Sequence, residues 1–113
     1  MENRTKFRFL IPGSIVLQCQ NGDKACMVKG QLVDFGRKGV GILTESFIRN
    51  GTEVKFFLMN REYDFRLKGS GRIKNVRPVR KDCCDFFRVG MEFVDVNEKL
   101  VFNIVERIKE MGW

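Results

Sequence analysis

The sequence predicts a mainly β domain, with six antiparallel strands coiled into a small barrel or a strongly twisted sandwich and a C-terminal α-helix closing the fold. Three observations carry this. Most of the chain alternates polar and apolar residues with a period of two. Turn signals, among them Asn21-Gly22-Asp23, Asn50-Gly51 and Asn60-Arg61-Glu62, recur between the alternating runs. Only the last stretch changes to a helical period.

Taken in order, Ser14 to Cys19 and Cys26 to Phe35 read as the first two strands, joined where Asn21-Gly22 supplies the positive φ angles of a tight hairpin. The turn from Asp34 to Gly39 leads into a third strand, Val40 to Thr44. A loop closed by Asn50-Gly51 precedes a fourth, Glu53 to Met59, and Asn60-Arg61-Glu62 turns it back into a long fifth running from Tyr63 to the region of Val79. Within that strand Tyr63, Phe65 and Leu67 share one face and Asp64, Arg66 and Lys68 the other, as in a sheet packed on one side. Gly69-Ser70-Gly71 interrupts the alternation and predicts a bulge or bend of the kind that lets a small sheet close on itself. Phe87, Val89, Met91 and Phe93 alternate in the last strand, ending a barrel expected over 14–94.

Leu100, Val101, Ile104, Val105, Ile108 and Met111 then line one face at helical spacing, predicting an amphipathic helix over 96–111. Asp95 with Glu98 three residues later resembles a capping box, and Asn97 is the alternative cap. The apolar stripe packs on the barrel, which would otherwise expose apolar surface; a dimer or partner surface is its other use.

With 113 residues, 43% hydrophobic, eleven Phe and two Pro, the chain is the size of one domain over 1–113, whose first part, 1–12, is an arm expected to be mobile. A net charge of +7 favours an anionic partner, whether nucleotide, nucleic acid, lipid surface or acidic protein. Arg66, Lys68, Arg72, Lys74, Arg77, Arg80 and Lys81 fall in a stretch without an acid, predicting one strongly positive face, either for binding or for solubility and edge protection.

Cys19, Cys26, Cys83 and Cys84 lack the spacing of a metal framework, and the chain has no His. Cys19 and Cys26 lie in apolar surroundings and are expected to be buried, whereas Cys83-Cys84 sits among charges and is expected to be exposed; reduced thiols fit a cytoplasmic protein. The apolar run from Phe9 to Leu17 is broken by Pro12-Gly13 and is not expected to act as a secretory signal, and no segment approaches the ~20 apolar residues of a membrane span. Without His to activate a thiol or shuttle protons, and with Asp34, Asp64, Asp82 and Asp85 scattered, no catalysis is expected and no cofactor is implied.

Two segments carry binding chemistry. In Asp34-Phe35-Gly36-Arg37-Lys38-Gly39, a turn between two good strands holds a carboxylate able to accept from the N1 and N2 donors of guanine, and Gly36 and Gly39 would let backbone amides approach a ligand. In Arg4-Thr5-Lys6-Phe7-Arg8 the two guanidiniums point the same way on an extended arm, roughly 13 Å apart. A basic terminus and an ordinary Gly turn are the plain alternatives.

Arg4-x-x-x-Arg8 followed by Asp34-x-Gly36-x-x-Gly39 resembles the two-part signature of the PilZ domain, RxxxR and [D/N]xSxxG. Gly39-Val40-Gly41-Ile42, Gly51-Thr52-Glu53-Val54, Gly71-Arg72-Ile73 and Arg88-Val89-Gly90-Met91-Glu92-Phe93 extend the similarity over nearly the whole chain. The resemblance implies a six-stranded antiparallel PilZ-type barrel with a C-terminal helix, and, as for many members, a bacterial receptor for cyclic di-GMP. It implies that Arg4 and Arg8 contact phosphate and the guanine O6/N7 edge, with Arg4 further out, and that Asp34 reads a guanine. Gly36 departs from the pattern, where Ser is usual, and removes one hydroxyl.

The expected partners are therefore cyclic di-GMP and an unidentified effector protein that reads the ordering of the arm, with no membrane insertion, nucleic acid unlikely, and a monomer or weak dimer. An adaptor of the same fold that does not bind the nucleotide is one alternative. A small nucleic-acid-binding barrel is another, weakened because Phe residues near the basic stretch fall mostly on the expected core face.

Overall fold

The computed structural model describes residues 8–21 and 24–111, which form β1 (Arg8–Asn21), β2 (Lys24–Gly36), β3 (Gly39–Thr44), β4 (Glu53–Asn60), β5 (Phe65–Lys81), β6 (Cys84–Asp95) and α1 (Glu98–Glu110). All six strands pair antiparallel in a closed barrel, in the order β1-β2-β3-β6-β5-β4. Closure comes from β1, which pairs with β2 along one edge and, over Ser14 to Cys19, with β4 along the other. The period of two fixes which residues face inward: Ile15 and Leu17 on β1, Ile42 on β3, Leu58 on β4 and Leu67 on β5 are almost wholly buried. Ring contacts fill the end of the interior near the helix, where Phe35 packs 5.3 Å from Phe65 and 6.0 Å from Phe93, and Phe56 stacks on Phe93 at 5.5 Å.

The predicted irregularity at Gly69-Ser70-Gly71 is present as a register shift between Ser70 and Gly71, and a second follows between Ile73 and Asn75. Further shifts fall at Leu10/Gly13 in the β1–β2 pairing and at Leu32/Asp34 in the β2–β3 pairing. Each lets one strand bend sharply, which a ring of this size requires. β5 pairs with β4 only as far as Arg72; beyond it the strand continues beside β6, and past Pro78, where β6 no longer pairs with β3, the two form a two-stranded ribbon to Lys81, turned at Asp82 and Cys83, both left-handed at φ 53° and 65°.

Several expectations change. Residues 8–12, expected in the arm, are strand, because Arg8, Phe9 and Leu10 pair with Gly36, Phe35 and Asp34. The first part of the arm, and residues 22 and 23 of the first hairpin turn, lie outside the described residues. Tyr63 is buried, yet it lies in the turn before β5, where its N–H donates to Asn60 Oδ1 at 2.6 Å. The Asn60 amide also donates to the Pro12 carbonyl, so one buried side chain ties the β4–β5 turn to β1. Cys19 is buried as expected, but Cys26, its partner across the ladder, is exposed, at the end of the hairpin where the β1–β4 pairing stops at Cys19.

α1 starts at an Asn97 cap, whose Oδ1 accepts from Leu100 N at 3.0 Å, so the capping-box alternative with Asp95 is not the one formed. Val101, Ile104, Val105 and Ile108 are buried. Arg107 fastens the helix to the β4–β5 turn by donating to the carbonyls of Tyr63 at 3.2 Å and Asp64 at 2.7 Å.

Asn60→Ala should lower stability by about 2 kcal/mol or more in urea denaturation, since a buried N–H and a carbonyl both lose their partner. Thiol chemistry offers a second check. Burial pushes the Cys19 thiol up, so iodoacetamide at about pH 8 should modify Cys26, Cys83 and Cys84 in the native protein and spare Cys19, as read by peptide mapping. The folded state holds that proton more tightly than the unfolded chain. The stability it contributes is therefore full below the unfolded thiol value of about 8.5 and is lost as pH rises above it.

Candidate functional site

Asp34 stands where the outer face of the barrel is bare of side chains. The shift at Leu32/Asp34 and the ladder place it opposite Leu10 on β1 and Gly41 on β3, with Gly41 in turn opposite Gly90 on β6 and Gly90 opposite Asn75 on β5. This row of two glycines makes a shallow trough. A Cβ added at Gly41 would lie 2.8 Å from both Asp34 carboxylate oxygens and 2.7 Å from Arg88 Nη2, and one added at Gly90 would press on the Asn75 amide.

Into the trough lean two arginines. Arg8 Nη1, from the first residue of β1, donates to Asp34 Oδ1 at 2.7 Å, and Arg88 Nη2, from β6, donates to Oδ2 at 2.6 Å. The carboxylate is nearly buried, with a side-chain exposure of 10%, while the arginines keep 45% and 28%. One carboxylate therefore fixes two guanidiniums whose remaining N–H groups face solvent, an arrangement suited to anions or to the acceptor edge of a base. Arg77, across the ladder from Arg88, adds to the positive potential.

Arg8 also lines a cavity of about 360 Å³ with Gly36, Arg37, Lys38, Gly39, Lys74, Asn75, Gly90, Met91 and Glu92. Its floor is strand backbone and its rim is cationic, with Glu92 drawn toward Lys74 at 3.7 Å. The loop between β2 and β3 forms one wall and is held in place, because Phe93 N donates to the Lys38 carbonyl at 2.7 Å and the Arg37 guanidinium lies 5.4 Å from the centroid of Phe102 on α1.

Of the residues singled out by sequence, Arg8, Asp34, Gly36 and Gly39 come together here, and Arg4 lies outside the described residues. Gly39 has a steric reason beyond the ligand, since a Cβ there would collide with the carbonyl oxygen of Met91. The sequence reading put Asp34 alone against a guanine. In the structure both its oxygens already hold an arginine. It missed Arg88 and Asn75 as site residues. The available signal for Arg88 was the strict alternation of β6, which sends Val89 and Met91 inward and Arg88 and Gly90 outward. Among the described residues no group of acids and thiols is arranged to hold a metal ion, and no helix is long and apolar enough to cross a membrane.

Comparison with known proteins matches this geometry to one family. The PilZ domain family model matches residues 2–109. Among solved structures, the PilZ domain of YcgR from Escherichia coli with c-di-GMP superposes with a TM-score of 0.69 at 16% identity, over 95% of this chain and 88% of that one. The MrkH–c-di-GMP complex of K. pneumonia gives 0.76 at 15% identity, over 98% of this chain and 54% of that one. The Bacillus subtilis inhibitor of motility MotI/DgrA gives 0.70 at 8% identity, over 100% of this chain and 55% of that one. The chain thus spans about half the length of the last two. No curated protein sequence matches.

Replacing either arginine should cost about 1–2 kcal/mol in chemical denaturation, the range for a hydrogen bond to a charged group that remains partly solvated. Asp34→Ala should cost more than Arg8→Ala or Arg88→Ala, because it leaves two guanidiniums facing each other without their carboxylate.

Proposed function

The chain belongs to the PilZ domain family, and we propose that it is a receptor for cyclic di-GMP acting in the cytoplasm. The observation that carries this reading is the Asp34 carboxylate held between Arg8 and Arg88 beside a cationic cavity. The relatives solved with c-di-GMP support the choice of ligand.

Cyclic di-GMP presents two phosphates and two guanine edges. Arg8 and Arg88 offer paired N–H groups to a phosphate or to guanine O6 and N7, and their common anchor on Asp34 sets both in place before the ligand arrives. Each Asp34 oxygen keeps a further lone pair, so the carboxylate can accept guanine N1–H and N2–H while still holding the arginines. The bare strip over Gly41 and Gly90 lets a flat base lie against the strands, with the Asn75 amide at its far edge. Arg4 supplies a further guanidinium from the arm. Where the family motif carries Ser, Gly36 gives up one hydrogen bond, worth roughly 0.5–1.5 kcal/mol.

Ordering of the arm over the bound ligand alters the surface that an effector protein reads. The β2–β3 loop supports such a relay, because it walls the cavity on one side and contacts α1 through Arg37 and Phe102 on the other.

Calorimetric titration with cyclic di-GMP, with GTP and cyclic di-AMP as controls, tests the reading. Saturable binding of cyclic di-GMP alone is expected. Arg8→Ala, Arg88→Ala and Asp34→Ala should each weaken it about tenfold or more. Gly41→Ala should do the same without removing a charge, since its methyl displaces the clamp. Gly36→Ser should tighten binding by about two- to tenfold. Absence of heat from a folded protein would replace this reading with the ligand-independent adaptor.

A further inference from the structure

Diametrically across the barrel from β3 and β6 lies a face formed by β2, β1, β4 and β5. The ladder places its outward residues in three rows: Gln31, Ser14, Met59 and Arg66; Lys29, Val16, Phe57 and Lys68; Met27, Gln18, Lys55 and Ser70. Four of these are cations and none is an acid. Lys29, Lys55, Arg66 and Lys68 form no ion pair with any described residue, whereas Arg72 pairs with Glu53, Lys74 with Glu92 and Arg80 with Asp85.

Phe57 is the centre of this face. It points outward from β4 and is 40% exposed. Lys68 lies directly across the ladder, Lys55 two residues along the same strand, and Val16 on its other side. Both ammoniums thus start within ~5–7 Å of the aromatic position by strand geometry, and Lys29 and Lys68 bracket it over roughly 14 Å.

We propose that this face binds single-stranded nucleic acid, independently of the cyclic dinucleotide site. A chain that alternates a flat base with an anionic phosphate matches a surface on which an exposed ring is interleaved with unpaired cations. A duplex would use the cations and leave Phe57 idle, because its bases are stacked inside. A protein partner fits less well, since lysine is depleted at the centre of protein interfaces and here it adjoins the central aromatic. Gln18, Gln31, Ser14 and Ser70 supply amide and hydroxyl groups for base edges without adding negative charge.

The test is fluorescence anisotropy with a labelled oligothymidylate of about 15 nucleotides at about 50 and 200 mM salt, beside a duplex of the same length, polyglutamate, and phosphatidylglycerol vesicles. The expected result is saturable binding at the lower salt, tighter for the single strand than for the duplex or polyglutamate. Phe57→Ala should weaken it about tenfold and Phe57→Trp should retain it. Lys55→Gln with Lys68→Gln should flatten the dependence of log K on log salt by about one unit. Thermal melts of the variants verify that the fold is kept, as expected for outward residues. No binding at the lower salt overturns the proposal, as does equal duplex binding indifferent to Phe57. Stronger binding to polyglutamate, or Phe57-dependent binding to vesicles alone, overturns it in favour of an acidic protein or a membrane surface.

Discussion

Closure of the sheet is the constraint on which the rest of this molecule depends. Once β1 is hydrogen-bonded to β2 on one side and β4 on the other, inward and outward are fixed for every residue of the ring. The inward set becomes a core of aliphatic and Phe side chains. The outward set is free to carry charge, and each strand crossing brings side chains distant in sequence to one patch of surface. Arg8, Asp34 and Arg88 meet in this way, twenty-six and fifty-four residues apart along the chain.

The meeting point works because it lacks side chains. Gly41 lacks the Cβ that would hold Asp34 away from Arg88, and Gly90 the one that would press on Asn75, so a carboxylate lies nearly buried on the outside of a barrel. Burial of that charge is compensated by two guanidiniums, each still partly in water, so neither arginine bears the full desolvation cost of an internal ion pair. The clamp therefore presets two cationic forks before any ligand arrives.

Much of this was legible in the sequence, for identifiable reasons. Alternation in Phe65–Lys68 and in Phe87–Phe93 reports directly on which face is buried, and the Gly69-Ser70-Gly71 irregularity announces a bulge because loss of side chains and loss of ladder register go together. Strand ends were less legible. β1 begins at Arg8, ahead of a Pro12-Gly13 pair that reads locally as a break, because pairing with Gly36, Phe35 and Asp34 outweighs the local turn signal. The alternation of β6 turns Arg88 outward, but its meeting with Asp34 was not legible, since it depends on β6 lying next to β3, a neighbour relation set by barrel closure and absent from any local pattern. Alternation in β4 already turns Phe57 outward with Glu53 and Lys55 and Phe56 inward with Val54 and Leu58; what one strand does not show is that Val16 and Lys68 flank Phe57, which the ladder supplies.

The ribbon formed by the ends of β5 and β6 has a consequence for how the protein behaves when crowded. Past Arg72 one edge of β5 has no strand beside it, and such an edge is a template on which another chain could add. This one carries Lys74, Arg77, Arg80 and Lys81, with Pro78 among them, so an approaching strand meets repulsion from identical copies and a position with no N–H to offer. The barrel can thus extend a hairpin well beyond its own wall without inviting cross-molecular sheet growth.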